Sequence, residues 1–189
     1  MAQVVVYDAC VLYPSTLRDV LIRVGLSGLC QPKWSHLILD EVFRNLRTNR
    51  PDLDQTRLAR TRQLMNDSIR DVIVTGDEDI LQGISLPDPD DRHVVAAAMN
   101  AQATHIITKN LRDFPSDALS TVGITAQHPD DFLTNFLDAD PHALDSVISA
   151  IAHARTRSQS AEDDVLESLA IEAPRTVARI RHLWQSHVD

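Results

Sequence analysis

Residues 4–26 read VVVYDACVLYPSTLRDVLIRVGL and carry the clearest signal of the fold class. The first four of them form a short apolar run rich in valine, which predicts a buried β-strand. Asp8 follows that strand directly, and Pro14 with Ser15 then opens a helix. A carboxylate at the C-terminal end of a buried strand lies at the crevice of an open α/β sheet, where such folds bind their ligands. The stretch therefore predicts an α/β fold with Asp8 in its crevice, although a capping or turn aspartate would produce the same pattern.

The remaining sequence alternates strand-like runs with helical patterns up to about residue 130. Further strands are predicted over residues 72–75 and 105–108, with a short edge strand at 124–125. Helices are predicted over residues 15–24 (closed by Gly25 or Gly28), from Ser35 to about 49, over 53–69 and over 92–102, with a short one starting at 77–79. Strands that alternate with helices form βαβ units, so we predict a mainly parallel sheet flanked by helices. Beyond residue 130 the pattern is wholly helical, and segments 163–171 and 174–187 follow a polar break at 156–160.

Four acidic stations lie along this pattern. They are Asp8, Glu41, the cluster of Asp88, Asp90 and Asp91, and Asp113. Carboxylates that converge on one crevice repel one another, and each close pair costs on the order of 4 kcal/mol at ~4 Å and an effective dielectric of ~20. A divalent cation offsets that repulsion, and hard oxygen ligands favour Mg²⁺ or Mn²⁺ over zinc. The acids therefore predict a site for a hard metal ion.

The later stations also have structural interpretations. Glu41 lies on a largely apolar helix beside Asp40, and the helical pattern alone favours a solvated side chain. Asp91 stands where an Ala-rich helix begins, so capping of that helix is an alternative role. Asp88 is too far from that helix to cap it. Asp113 follows a strand within a loop and is equally typical of a turn.

The composition excludes several other kinds of site. The chain has 189 residues and is 43% hydrophobic, which suits one domain with a small appendage. The eight histidines form no HExxH pattern, the two cysteines have no ligand-spaced histidine, and five glycines form no phosphate-binding loop. No apolar run approaches the roughly 20 residues that span a bilayer, and no secretory leader is visible. We therefore expect a cytoplasmic protein with reduced cysteines.

The charge distribution leaves a place for a polyanion. The net charge of −9 taken alone argues against nucleic acid as a partner, but six arginines lie close together in one stretch. They are Arg44, Arg47, Arg50, Arg57, Arg60 and Arg62. Local clusters of this kind make phosphate contacts whatever the net charge of the protein. The same stretch is equally consistent with a solvated helical hairpin.

Four segments, in order, resemble the PIN domain, a small α/β metal-dependent nuclease fold typical of VapC-like toxins in bacterial type II toxin–antitoxin modules. The segments are VVVYDACVLYPSTLRDVLIRVGL, WSHLILDEVFRNL, LPDPDDRHVVAAAMNAQATHIITKN and LRDFP. The resemblance implies a PIN-like three-layer fold over residues 1–128 and a helical extension over 129–189. It also implies hydrolysis of RNA phosphodiester bonds with Mg²⁺ or Mn²⁺, a protein antitoxin that blocks the crevice, and a homodimer, which is common among such toxins.

The resemblance also assigns roles to individual residues. Its first three acids correspond to Asp8, Glu41 and Asp91, and Arg44, Arg47 and Arg50 become candidate RNA ligands. Many members carry an aspartate two residues after the strand threonine, but here Thr108 leads to Asn110 instead. Asp113, three residues further on, is the alternative fourth acid. Asp88, Asn110 and Thr108 are secondary candidates.

Two other functions and one other substrate remain open at this point. A receiver-like signalling domain would explain Thr75 and Lys109, but it does not account for the acidic cluster at residues 87–91. A non-catalytic PIN module that binds RNA or a partner is consistent with Asn110 at the fourth station. Structured DNA, rather than RNA, is a further alternative substrate.

Overall fold

The computed structural model describes residues 2–75, 80–81, 85–155 and 161–186. Its strands are β1 (Gln3–Tyr7), β2 (Cys30–Ser35), β3 (Ile73–Val74), β4 (His105–Ile107) and β5 (Thr125–Gln127). They form one sheet in the order β3-β2-β1-β4-β5, and every neighbouring pair is parallel. The predicted α/β fold with a short, mainly parallel sheet is therefore confirmed. The strand ends differ from the predicted ones by one or two residues.

Ten helices accompany the sheet in the described part of the chain. They are α1 (Ala9–Leu12), α2 (Ser15–Leu26), α3 (His36–Asn49), α4 (Gln55–Ser68), α5 (Arg92–Asn100), α6 (Ser116–Ser120), α7 (Pro129–Ala139), α8 (Asp145–Arg155), α9 (Ala161–Ala170) and α10 (Pro174–Ser186). Two 3-10 turns span Pro89–Asp91 and Leu111–Asp113. No helix within the described ranges is both long and apolar enough to cross a membrane. The short helix predicted from residues 77–79 and the polar break at 156–160 fall outside those ranges.

The order in which successive strands are added to the sheet reverses beside β1. Strands β2 and β3 follow on one side of β1, whereas β4 and β5 lie on the other. Ligands of open α/β sheets bind outside the carboxyl ends of the strands at such a reversal. Val5, Val6 and Tyr7 of β1 are fully buried, as are Ile106 and Ile107 of β4, so the two strands that border the crevice are held in the core.

Strand β2 was not predicted from the sequence. Its residues CQPKWS include Pro32, which lacks a backbone N–H and usually argues against an interior strand. The structure nevertheless places β2 between β1 and β3, with Pro32 opposite Val5. Gly25 explains how α2 fits against this strand, because a Cβ there would lie only 2.5 Å from Cγ of Pro32. Gly25 is thus a close-contact glycine inside α2, and Gly28, at φ +80, follows the end of the helix.

The C-terminal helices pack against the sheet-bearing part of the chain. Helices α8 and α9 contact α2, and α10 packs on α7. Asp130, which is 4% exposed, accepts hydrogen bonds from the backbone N–H groups of Arg175 (2.9 Å) and Thr176 (2.8 Å) and so joins α7 to the start of α10. Nη2 of Arg155 donates to the Thr16 hydroxyl at 3.0 Å. The proposed division between residues 128 and 129 stays a prediction.

Candidate active site

Asp8 lies at the carboxyl end of β1, where the chain turns into α1. Its side chain is 3% exposed. Oδ1 accepts a hydrogen bond from the backbone N–H of Ala9 at 2.6 Å, and Oδ2 accepts from the Thr108 hydroxyl at 2.7 Å and from the Cys10 thiol at 2.9 Å. Asp8 therefore caps α1 and also lies at the crevice between β1 and β4, so the two roles predicted as alternatives coexist.

A small polar network fixes this carboxylate. Thr108 is fully buried just after β4, and its hydroxyl accepts the backbone N–H of Asn110 at 3.0 Å while it donates to Asp8. The Cys10 sulfur accepts the backbone N–H of Lys109 at 3.1 Å. Burial, and then the charge of Asp8, raises the pKa of Cys10 to about 12, so the thiol keeps its proton and can donate it. The Thr108 hydroxyl and the Cys10 thiol thus connect Asp8 to the loop that follows β4.

Lys109 connects this loop to the C-terminal helices. Its ammonium lies 2.9 Å from Oε2 of Glu172, which stands in the turn between α9 and α10. The side chains are 31% and 18% exposed, so the pair is only partly screened by water. The loop that holds Asp8 is consequently anchored to a residue distant in sequence.

Asp91 is the most strongly perturbed acid of the crevice. It precedes α5, but its side chain makes no capping hydrogen bond. Burial, followed by the negative charges of Asp8, Asp88, Asp113 and Glu41 in that order, raises the pKa of Asp91 to about 7. The fold thus brings acids from all four predicted stations within electrostatic reach of one another.

Glu41 faces the same group of acids. Its side chain is 30% exposed, and burial raises its pKa, followed by the charge of Asp8. The charge of His93 when its ring is protonated, and the charge of Arg44, act in the opposite direction. The Glu41 side chain is therefore only partly solvated. Its neighbour Asp40 takes the outward position instead and pairs with Arg62 at 2.6 Å.

The fourth station contains two candidates with different surroundings. Asp113 ends a 3-10 turn, is half-buried, and contributes to the raised pKa of Asp91. Asn110 is exposed, and its side chain makes no capping bond to that turn. Asp88 caps the preceding 3-10 turn, because its Oδ1 accepts the backbone N–H of Asp90 at 2.9 Å. The surroundings favour Asp113 as the acid of this station.

His93 is a member of the crevice that was not predicted. Its Nε2 lies 3.7 Å from Oε2 of Glu41, and its side chain is 12% exposed. No spacing rule could have identified it, because it shares no ligand pattern with the other histidines. A histidine two positions after Asp91, on the first turn of α5, was the only available signal.

The carboxylate oxygens of the crevice are suitable ligands for a hard divalent cation, although they do not surround a single position. Within residues 2–75, 80–81, 85–155 and 161–186, no three His, Cys, Asp or Glu side chains are close enough to form a ready-made metal centre. Such spacing is expected of carboxylates that repel one another. The raised pKa values of Asp91 and Glu41 nevertheless mark a concentration of negative charge that a cation would offset. Carboxylate oxygens are the ligands that Mg²⁺ and Mn²⁺ prefer.

The candidate RNA ligands lie on α3 and the loop that follows it. Arg44 and Arg47 are exposed, and the influence of Arg44 on the pKa of Glu41 places its charge beside the acids. Arg50 is also exposed but donates two hydrogen bonds to the Asp52 carboxylate, at 2.9 and 2.7 Å. Two of the three predicted arginines thus have guanidinium groups not committed to such a pair.

The PIN domain family matches residues 4–112 of this sequence. The chain belongs to that family. The helices that follow this PIN domain match the VapC50 C-terminal domain over residues 129–182. A relative named "Putative ribonuclease VapC50", from Mycobacterium tuberculosis (strain ATCC 25618 / H37Rv), is 40% identical over 96 residues. The match spans 51% of this chain and 57% of that relative, and no solved structure matches.

The strand order separates this PIN domain from a receiver domain. Flavodoxin-like folds, which include receivers, have the order 2-1-3-4-5 with the third strand beside the first. Here β3 pairs with β2, and β4 takes the place beside β1. The receiver interpretation of Thr75 and Lys109 is therefore wrong, and the ammonium of Lys109 is engaged by Glu172.

Proposed function

We propose that this protein is a metal-dependent endoribonuclease and the toxin of a type II toxin–antitoxin pair. One observation carries the proposal: the charges of Asp8, Asp113 and Glu41, from three other parts of the chain, reach Asp91 at the carboxyl edge of the sheet and raise its pKa. Membership of the PIN domain family and the similarity to VapC50 support it. The proposed catalytic residues are these four acids, with Asp88, Thr108 and Asn110 in secondary roles.

Different side chains have different roles in the proposed phosphodiester hydrolysis. Asp8, Glu41, Asp91 and Asp113 would hold Mg²⁺ or Mn²⁺, which when bound activates a water and offsets charge on the scissile phosphate. Thr108 and Cys10 keep the Asp8 carboxylate in one orientation through their hydrogen bonds. Because this orientation is fixed before the substrate arrives, little reorganisation is needed at the reacting centre. No protein nucleophile is required.

The exposed arginines of α3 supply contacts to the flanking phosphates of RNA. Such contacts position the chain without reading its sequence. Arg44 lies close enough to Glu41 to affect its pKa, so a phosphate held there would adjoin the acids.

Replacing Arg44 or Arg47 by Ala should weaken RNA binding and lower the slope of log K against log salt by about 0.7 each. Arg50→Ala should have a smaller effect, because its guanidinium is already paired with Asp52. Binding is measured by fluorescence anisotropy on single-stranded RNA over a salt series. Arg181→Ala, on the exposed side of α10, is the control for net charge. Equal losses in all four variants would argue against a specific role for α3.

The proposed partners follow from the same family membership. We expect a cognate protein antitoxin that covers the acidic crevice, and a homodimer of the chain, in the cytoplasm. An antitoxin that contributes a basic side chain would offset the same negative charge that the metal does.

The decisive assay measures cleavage of total RNA by the purified protein with Mn²⁺, with Mg²⁺ or with chelator. The proposal predicts endonucleolytic products with either metal and none with chelator. A structured DNA substrate, tested in parallel, determines whether the activity is specific for RNA. RNA binding without metal-stimulated cleavage would instead support the non-catalytic alternative, which the neutral Asn110 at the fourth station suggests.

A further inference from the structure

One buried nitrogen in the crevice has no hydrogen-bond partner. Nε2 of His93 is inaccessible to solvent and makes no hydrogen bond, and it is the one buried side-chain N or O atom within the described ranges in this condition. A buried polar atom without a partner costs about 1–3 kcal/mol, so a native structure normally supplies one. The atom lies in the acidic site rather than in the apolar core, which suggests a ligand as its partner.

The other ring nitrogen determines what Nε2 can bind. Nδ1 of His93 lies 2.7 Å from the backbone carbonyl oxygen of Asp90. A carbonyl only accepts hydrogen bonds, so Nδ1 carries a proton, and the neutral form of the ring then presents a lone pair at Nε2. Histidines that bind metals typically donate their second N–H to a backbone carbonyl or a carboxylate in this way.

One acid of the proposed metal site lies close to this nitrogen. Nε2 of His93 lies 3.7 Å from Oε2 of Glu41, beyond hydrogen-bond distance. Two ligands at about 2.1 Å from one metal ion lie at most about 4.2 Å apart, so a shared ion can join these two atoms. Glu41 in turn is coupled to Asp8 and Asp91, which connects the imidazole to the whole acidic site.

We propose that His93 is a nitrogen ligand of the metal ion bound at this site and makes the site select Mn²⁺ over Mg²⁺. The inference rests on the proposed metal-dependent function but concerns the identity of the ion. Mg²⁺ prefers oxygen ligands, whereas affinity for imidazole nitrogen increases along the transition series from Mn²⁺ onward. Four acids alone would hold either ion, so the imidazole supplies the discrimination.

Electron spin-echo spectroscopy of the Mn²⁺-loaded full-length protein tests the ligand directly. Coordination by His93 should produce ¹⁴N modulation on bound Mn²⁺, and labelling with [¹⁵N]histidine should replace it with the ¹⁵N pattern. His93→Phe removes the nitrogen and keeps a planar ring, and His93→Asn provides a smaller second variant if Phe does not fold. Both should lose the nitrogen signal.

The matched control is His153→Gln. His153 also places Nδ1 against a backbone carbonyl, that of Ser149 at 2.9 Å, but it is exposed on α8. Its loss should leave the spectrum unchanged. In calorimetric titrations with each metal chloride, His93→Phe should weaken Mn²⁺ binding by about 10- to 100-fold, with a change of less than about threefold for Mg²⁺.

Two outcomes would overturn the inference. Bound Mn²⁺ without nitrogen modulation in the unmodified protein would make His93 a partner of Glu41 alone, and equal losses for both metals in His93→Phe would remove its role in selection. Either result leaves the proposed nuclease intact if RNA cleavage still requires a metal. Conversely, a nitrogen signal without RNA cleavage would support the ligand and reject the proposed function.

Discussion

Replacing Asp8 by Asn should lower metal-dependent RNA cleavage by about 10²–10³-fold while the protein stays folded. The substitution removes one charge at the point where three donors converge, namely the Ala9 N–H, the Thr108 hydroxyl and the Cys10 thiol. Loss of one preorganised electrostatic contact to the reacting centre typically costs about 2.7–4 kcal/mol, which corresponds to this range. Cleavage rates at saturating Mn²⁺, together with circular dichroism, measure both parts of the expectation.

Asn is a better replacement than Ala at this position. Asp8→Ala would remove the cap of α1 and leave buried donors without acceptors, at about 1–3 kcal/mol each, so lost activity could reflect lost structure. An Asn side chain still offers one oxygen to these donors. Asp67→Asn, at an exposed position of α4, is the matched control and should keep full activity. Cleavage by Asp8→Asn within threefold of the unmodified rate would contradict the proposed site.

Asp91→Asn should stabilise the metal-free protein at pH 8. The pKa of Asp91 is raised to about 7 in the folded state, above its ordinary 3.8. The folded state therefore holds this proton more tightly than the unfolded state does, and the stability that results is lost as pH rises from about 4 through 7. Asn has no charge to repel the neighbouring acids, so its advantage should increase over the same window and then level off. Because Asp91 is only half-buried, solvent screening reduces the expected gain to about 1–2 kcal/mol.

Thermal unfolding in chelator at pH 4.5 and pH 8 measures this effect. Each kcal/mol shifts the midpoint of a chain this size by about 2–4 °C. Addition of Mn²⁺ at 100 times its Kd should stabilise the unmodified protein by about 2.7 kcal/mol, and Asp91→Asn by much less. A variant destabilised equally at both pH values would instead assign Asp91 a purely structural role. Asp67→Asn again serves as the control.

The sequence predicted those parts of the site that depend on local order along the chain. The run before Asp8 specifies a buried strand, and the proline-rich turn before Asp91 specifies a helix start, so both were placed at strand or helix ends. The sequence did not determine whether Glu41 faces the crevice, because helical periodicity cannot distinguish it from Asp40 when both adjoin the apolar face. Only the packing of α3 shows which of the two faces the crevice.

Features that depend on contacts between distant segments could not be predicted. Strand β2 was not predicted because a proline is unusual in an interior strand. The absence of a side chain at Gly25 leaves room for the Pro32 ring. The orientation of His93 depends on the Asp90 carbonyl in the turn before α5. The hydrogen bond from Thr108 to Asp8 joins residues 100 positions apart, and no local pattern encodes it.

The ion pair between Lys109 and Glu172 has a practical consequence for work on this molecule. A version cut after residue 128 would remove the carboxylate that pairs with the Lys109 ammonium, and it would expose the face of α2 that α8 and α9 contact. Trimming the chain to its PIN domain would therefore remove contacts that support that domain, and inactivity of such a fragment would not test the proposed chemistry.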